Sequence, residues 1–206
     1  MRPPKTVRAL EAFGRVRLSE NFFMRDFLYS EIAVINGLQN LPDDLDLAIA
    51  AGTRLCEELL EPLQEKFGPL SVRSSYRSPQ VNHFGNVNKL NCASNASNYA
   101  GHIWDRRDAE GRMGATACVI VNRFIPYYER TGNWEAMAWW IHDHLPYSDM
   151  PFFPKFAAFN LQWREEPVRR IYSYIPPRRG KLTAQGMANW PGTHEEDYAA
   201  MVAEIA

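Results

Sequence analysis

Leu55, Leu59, Leu63 and Phe67 recur at every fourth position, with Cys56 and Leu60 beside them and Arg54, Glu57, Glu58, Glu61 and Glu65 on the other side. This period predicts an amphipathic helix over 45–67, opened by Pro42, Asp43 and Asp44 and stopped by Gly68-Pro69. Pro62 falls inside the pattern, lacks an amide hydrogen and predicts a bend near the helix end. The next stretch, 69–73 (PLSVR), is short and β-branched at its centre, so it reads as a buried strand, with 74–79 as the turn leaving it. Upstream, residues 1–18 form a polar, basic lead-in, and Phe22, Phe23, Phe27 and Leu28 predict a small helix docked on the core.

Beyond the centre, Val119, Ile120, Phe124 and Tyr127 predict a second core helix over 114–130, with Pro126 disturbing its last turn. Asn133 then caps a third over 134–145, in which Trp134, Met137, Ala138, Ile141 and Leu145 form one stripe. Residues 150–153, 156–163 and 168–175 read as strands, the last two joined by REEP as a hairpin turn. Helices and strands in this order predict an α+β fold, a small antiparallel sheet packed against helices. The stretch IPPRRGK at 175–181 marks the expected end of the compact domain. Thr193 and Glu196 make a capping-box pair ahead of Tyr198, Met201, Val202 and Ile205, which predicts a short amphipathic terminal helix.

Composition narrows the function classes. With 206 residues, 46% hydrophobic and 13% aromatic, the chain has enough apolar surface for one domain with a tail. Its 23 basic and 24 acidic residues create no bulk field toward nucleic acid or an anionic membrane. Cys56, Cys92 and Cys118 are an odd, widely spaced set without a CxxC pair, which predicts reduced thiols rather than a disulfide scaffold or zinc knuckle. No apolar run resembles a secretory signal or reaches membrane-spanning length, so the expected location is cytoplasmic.

Candidate chemistry concentrates in 74–105 (SSYRSPQVNHFGNVNKLNCASNASNYAGHIWD). Arg77 leaves the end of a strand, where a rigid sheet holds a charged group while the loop keeps it accessible. Two readings stand beside each other: Arg77 binds a ligand, or it pairs with a nearby carboxylate to pin the turn.

Several stretches carry a family resemblance. LSENFFMRDF (18–27), LCEELLEPLQEKFGPLSVRSSYRSPQVN (55–82) and FNLQWREEPVRRIYSY (159–174) resemble the docking segment, the proline-containing helix with its strand and SGYRSPxxN turn, and the closing hairpin of the M15 zinc peptidases. That family includes D-alanyl-D-alanine carboxypeptidases, phage endolysins and the fold of the hedgehog signalling domain. The resemblance spans roughly 18–175 and implies an M15-like domain over 19–175, between an extension at 1–18 and a tail at 176–206. It also implies zinc held by a His and an Asp in S-x-H-x-x-G-x-A-x-D and by a second His on the hairpin, with a Glu as general base.

Matching Gly101 and Asp105 to the end of that motif keeps the aspartate. It puts Asn98 at the first histidine, Ala96 at the serine, Asn160 at the second histidine, and Pro154 or Ala157 at the glutamate. Amide oxygens are poor ligands for zinc, and neither Pro154 nor Ala157 moves a proton. The reading that follows is a dismantled zinc site in a groove of Ser75, Tyr76, Arg77, Asn82, Asn98, His102, Asp105, Asn160 and Trp163. The expected ligand is peptide-like or a small acid, with a protein partner through the tail as an alternative. No nucleic acid, membrane or cofactor is expected.

An active peptidoglycan peptidase remains the alternative, with zinc displaced onto His102 and Asp105 with His83, His142 or His144. His142 and His144 do not suit one ion, since an i, i+2 pair on a helix points apart by about 200°.

Overall fold

The computed structural model describes residues 3–206; Met1 and Arg2, the basic start of the lead-in, lie outside the described residues. In chain order the elements are α1 (Val7–Gly14), a 3-10 turn (Met24–Phe27), α2 (Glu31–Asn36), α3 (Leu45–Leu55), a π turn (Cys56–Leu60) and α4 (Glu61–Phe67). Then follow β1 (Leu70–Ser74), α5 (Pro79–Val87), α6 (Asn95–Asn98), β2 (Gly114–Val121), α7 (Phe124–Thr131) and α8 (Glu135–His144). The chain finishes with β3 (Asp149–Phe152), a 3-10 turn (Lys155–Ala157), β4 (Phe159–Arg164), β5 (Arg170–Ser173), β6 (Gly180–Thr183) and α9 (Glu195–Ile205). The architecture is α+β, and the sheet is six-stranded in the order β1-β2-β4-β3-β5-β6.

Two compact units emerge, one of residues up to 57 with 74–117, the other of 58–73 with 118–206. In the first, Trp104 is fully buried, with Phe27 at 5.3 Å and Tyr76 at 6.1 Å between ring centroids. Its indole Nε1 donates to the Thr116 carbonyl at 3.2 Å. Gly52 of α3 lets this ring lie against the helix: a Cβ there would meet Trp104 Cζ3 at 2.7 Å and Leu18 Cδ1 at 3.1 Å. Gly52→Ala therefore gains helix propensity but overpacks a rigid buried indole. We expect a net loss of about 1–3 kcal/mol by urea unfolding.

The helix predicted over 45–67 is present, and its irregularity precedes Pro62. A proline at position 62 has no amide hydrogen for the Glu58 carbonyl and its ring crowds that oxygen. The chain widens into the π turn at Cys56–Leu60 and restarts as α4 with Pro62 in its first turn.

Two expectations are corrected in the second unit and at its entry. Residues 114–121 are a strand rather than a helix start, and the helix begins only at Phe124. Ala115, Thr116, Ala117, Cys118, Val119 and Val121 are all buried, and a strand covered on both faces loses the alternation that would have marked it. Nor does REEP join paired strands. β3 lies between β4 and β5, antiparallel to β4 (Phe152 opposite Phe159) and parallel to β5 (Met150 opposite Ile171). The tight reversal is instead between β3 and β4, where Phe156 (φ 59°) and Ala157 (φ 46°) are left-handed, so β4 starts at Phe159.

The segment set apart as a tail supplies β6, antiparallel to β5, and α9, whose Tyr198, Met201 and Ile205 are buried. The capping box expected at Thr193 and Glu196 does not close α9. The residue at its N-cap is His194, and Thr193 Oγ1 donates to Asp143 at 3.4 Å. No helix among the described residues is long and apolar enough to cross a membrane.

Candidate functional site

The turn after β1 is held from several sides, and this places Arg77. Ser75 Oγ donates to the Thr116 carbonyl at 3.0 Å, the Tyr76 amide to the Phe27 carbonyl at 3.2 Å, and the Arg77 amide to the His102 carbonyl at 2.8 Å. Asn40 completes the frame. Its Nδ2 donates to the Tyr76 and Leu28 carbonyls, and its Oδ1 accepts the Ser78 amide at 2.7 Å. Ser78 caps α5 by accepting the Val81 amide, ahead of Pro79 in the first turn.

One turn into α5 sits Asn82, fully buried. Its Oδ1 accepts from Asn98 Nδ2 at 3.0 Å and from Arg77 Nη1 at 3.3 Å. Its Nδ2 donates to Asn95 Oδ1 at 2.8 Å and to the Ala93 carbonyl at 3.0 Å. Buried amides of this kind are satisfied by one another, which fixes both the loop at 91–98 and the arginine above it.

Arg77 is half-buried, and its Nη1 also contacts Cys92 Sγ at 2.7 Å. Its Nε is buried and has no hydrogen-bond partner. Among the described residues no carboxylate pairs with this guanidinium. The reading in which Arg77 pins the turn through an ion pair is thus set aside: Asn40 and the backbone bonds do that work.

Asn98 and Asp105, paired above as remnants of a ligand set, face different networks. Asn98 turns to Asn82. Asp105, 2% exposed, accepts the Asp43 amide at 2.8 Å, the Tyr76 hydroxyl at 3.1 Å and Arg106 Nη1 at 3.1 Å. Arg106 in turn reaches Asp43 at 2.6 Å. Burial raises the Asp105 carboxyl above its ordinary value, and the Asp43 amide, the Arg106 charge and the Tyr76 hydroxyl oppose that rise without cancelling it. Tyr76, buried beside this carboxylate, is held well above the ordinary phenol range, first by burial and then by the Asp105 charge. This is a structural tie that anchors the start of α3.

His102 is no more a preset ligand. Its Nδ1 donates to the Ser75 carbonyl at 2.7 Å, which settles the tautomer. Burial first, and then the Arg77 charge, push its pKa down to about 3 against the opposing Ser75 bond. The imidazole is neutral across the physiological range.

Asn160 and Trp163 lie on β4 in the second unit. Burial alternates along β4, so these two residues, three apart, project from opposite faces and cannot both line one groove. Trp163 is buried and its Nε1 donates to Glu58 at 2.7 Å. His83 is exposed, and His142 and His144 turn to separate partners, Tyr147 and the Trp140 carbonyl.

The site thus presents one half-buried cation, its Nε buried and unbonded, over a floor of closed amides. Sequence reasoning missed Asn40, Cys92 and Asn95 as members of it. The asparagine richness of 82–98 hinted at Asn95 alone; nothing local pointed to Asn40 or Cys92. No protein-family model, curated protein or solved structure matches the chain.

Proposed function

We propose that this chain is an M15-peptidase-like protein that binds a carboxylate-bearing, peptide-like ligand at Arg77 and does not cleave it with zinc. The observation that carries the reading is the Arg77 guanidinium, half-buried with no carboxylate partner among the described residues, and with a buried Nε–H that meets no acceptor. A ligand carboxylate against this half-buried guanidinium would supply the charge-assisted bond that no carboxylate of the described residues provides. The family motif supplies the second support. At its histidine positions stand Asn98 and Asn160, and Asn98 is spent on Asn82. Amides bonded to amides offer a borderline-soft ion nothing that water does not.

The test is calorimetric titration with N-acetyl-D-alanyl-D-alanine, its C-terminal amide serving as the uncharged control. The carboxylate form is expected to bind, the amide to bind at least about 10-fold more weakly, and Arg77→Gln to abolish the difference, in line with a charge-assisted bond of about 1.5–3 kcal/mol. Equal binding of acid and amide, or binding indifferent to Arg77→Gln, would reject the assignment. Cleavage of the peptide that stops on adding a chelator would restore the zinc-peptidase reading.

A further inference from the structure

The second unit holds a different constellation, which none of the above uses. His142 and Asp143 end α8, and His194 stands at the N-cap of α9. Each offers one ligand atom, and these atoms all lie within 4.8 Å of one another. The His142 and His194 rings are nearly perpendicular, 78° apart, with centroids 5.3 Å apart.

The surrounding contacts orient both imidazoles as a ligand site requires. A metal-bound histidine normally has its other ring nitrogen held by a protein oxygen, which fixes the tautomer and the ring plane. His194 Nε2 is held by the Asn189 carbonyl at 2.9 Å, leaving Nδ1 against Asp143 Oδ1 at 2.8 Å. His142 Nδ1 is held by the Tyr147 hydroxyl at 2.8 Å, leaving Nε2 toward the Trp190 carbonyl at 3.0 Å. The tyrosine hydroxyl donates or accepts equally well, so it tolerates either tautomer of His142. Trp139 stacks on His194 with centroids at 3.9 Å and planes 5° apart, and Arg169 Nη2 donates to the His142 carbonyl at 2.6 Å. Both ring positions are therefore set by packing rather than by the carboxylate alone.

The geometry points to a binding site for a divalent first-row transition ion, zinc foremost, on His142 Nε2, His194 Nδ1 and the Asp143 carboxylate. Two imidazoles and one carboxylate are the donors such an ion prefers, and three protein ligands leave one position for water or the Trp190 carbonyl. In the ligand tautomers the His194 hydrogen sits on Nε2, held by the Asn189 carbonyl, and the His142 hydrogen on Nδ1, held by the Tyr147 hydroxyl. The ion ties the last turn of α8 to the entry of α9, so its role is to staple the C-terminal segment. This site is independent of the Arg77 reading, and either can fail alone.

The test uses untagged full-length protein, stripped with a chelator and titrated with Zn2+ by calorimetry and with Co2+ by visible absorption. One ion per chain is expected, with the absorption of a tetrahedral site and a melting temperature that rises on loading. Tyr147→Phe, which keeps the ligands but removes the oxygen behind His142, is expected to weaken binding by about 10-fold. His194→Ala and Asp143→Asn should weaken it further, while Asn98→Ala and Asp105→Asn leave it unchanged. His194→Ala is to be checked for its fold by circular dichroism, and Tyr147→Phe carries the test if it unfolds. No stoichiometric binding by the stripped protein, or binding indifferent to Tyr147→Phe and Asp143→Asn, would overturn the site.

Discussion

Between pH 6.5 and 4.5 the folded protein is expected to lose about 2–3 kcal/mol of stability through His102 alone, at about 1.4 kcal/mol per unit. The folded pKa, about 3, lies below the unfolded value of 6.5, so within that window the unfolded chain binds more protons. Stability from this group is complete above pH 6.5 and drains away as the pH falls toward 3. The cause is burial, reinforced by the Arg77 charge, and the Ser75 carbonyl softens it. Asp105 works in the opposite sense. Its raised pKa makes the folded state bind the extra proton, so that contribution is present in acid and lost as the pH rises through the region above its ordinary value of 3.8. His102→Gln keeps a donor for Ser75 without a titratable ring. Urea unfolding at pH 7 and pH 4.5 should show the wild type weakening between the two more than His102→Gln does, by about 2–3 kcal/mol. Equal slopes would mean that His102 is solvated.

Asp105→Ala is expected to cost about 2–5 kcal/mol, from two donors left without an acceptor at about 1–3 kcal/mol each. The loss strands the Tyr76 hydroxyl and the Asp43 amide, both of which donate to this carboxylate, and it frees Arg106 from the side chain that holds it beside Asp43. Tyr76→Phe, which removes the one hydroxyl that donates to Asp105 Oδ1, should cost about 1.5–3 kcal/mol. The pair of variants separates two roles. A carboxylate kept as a vacated metal ligand would be relieved by removal, so Asp105→Ala would match or exceed the wild type in stability. A carboxylate that ties Tyr76 to the start of α3 must show the loss.

The legible parts of this fold were those in which burial is one-sided. The helix over 45–67 announced itself because Leu55, Leu59, Leu63 and Phe67 face in while Arg54, Glu57 and Glu65 face out; α8, buried continuously from Ala136 to His142, is the exception, read from the stripe of Trp134, Met137 and Ile141. β2 was hidden because burial on both faces erases the alternation, leaving Val119 and Ile120 free to be counted with the helix at Phe124. Neighbours in the sheet were hidden for another reason. REEP has the composition of a hairpin turn, yet the parallel pairing of β3 with β5 depends on contacts that no local pattern encodes.

The site divides in the same way. Arg77 was legible from its place after a strand, and Asn82 and Asn98 from their places in the family's motifs, and these three do meet. Asn160 and Trp163 were grouped by their place in a family motif, which carries no information about the face of β4 from which each projects. His194 was passed over because its partner Asp143 lies 51 residues away and no spacing motif links them.

The most direct measurement of the central claim is the 15N–1H resonance of the Arg77 Nε–H group, assigned with Arg77→Lys and followed during addition of N-acetyl-D-alanyl-D-alanine. In the unliganded protein this hydrogen is buried and without an acceptor. Binding of a carboxylate at Arg77 predicts a saturable downfield shift of this resonance, absent with the peptide amide. An Nε–H resonance that stays in place while the peptide binds would contradict the account.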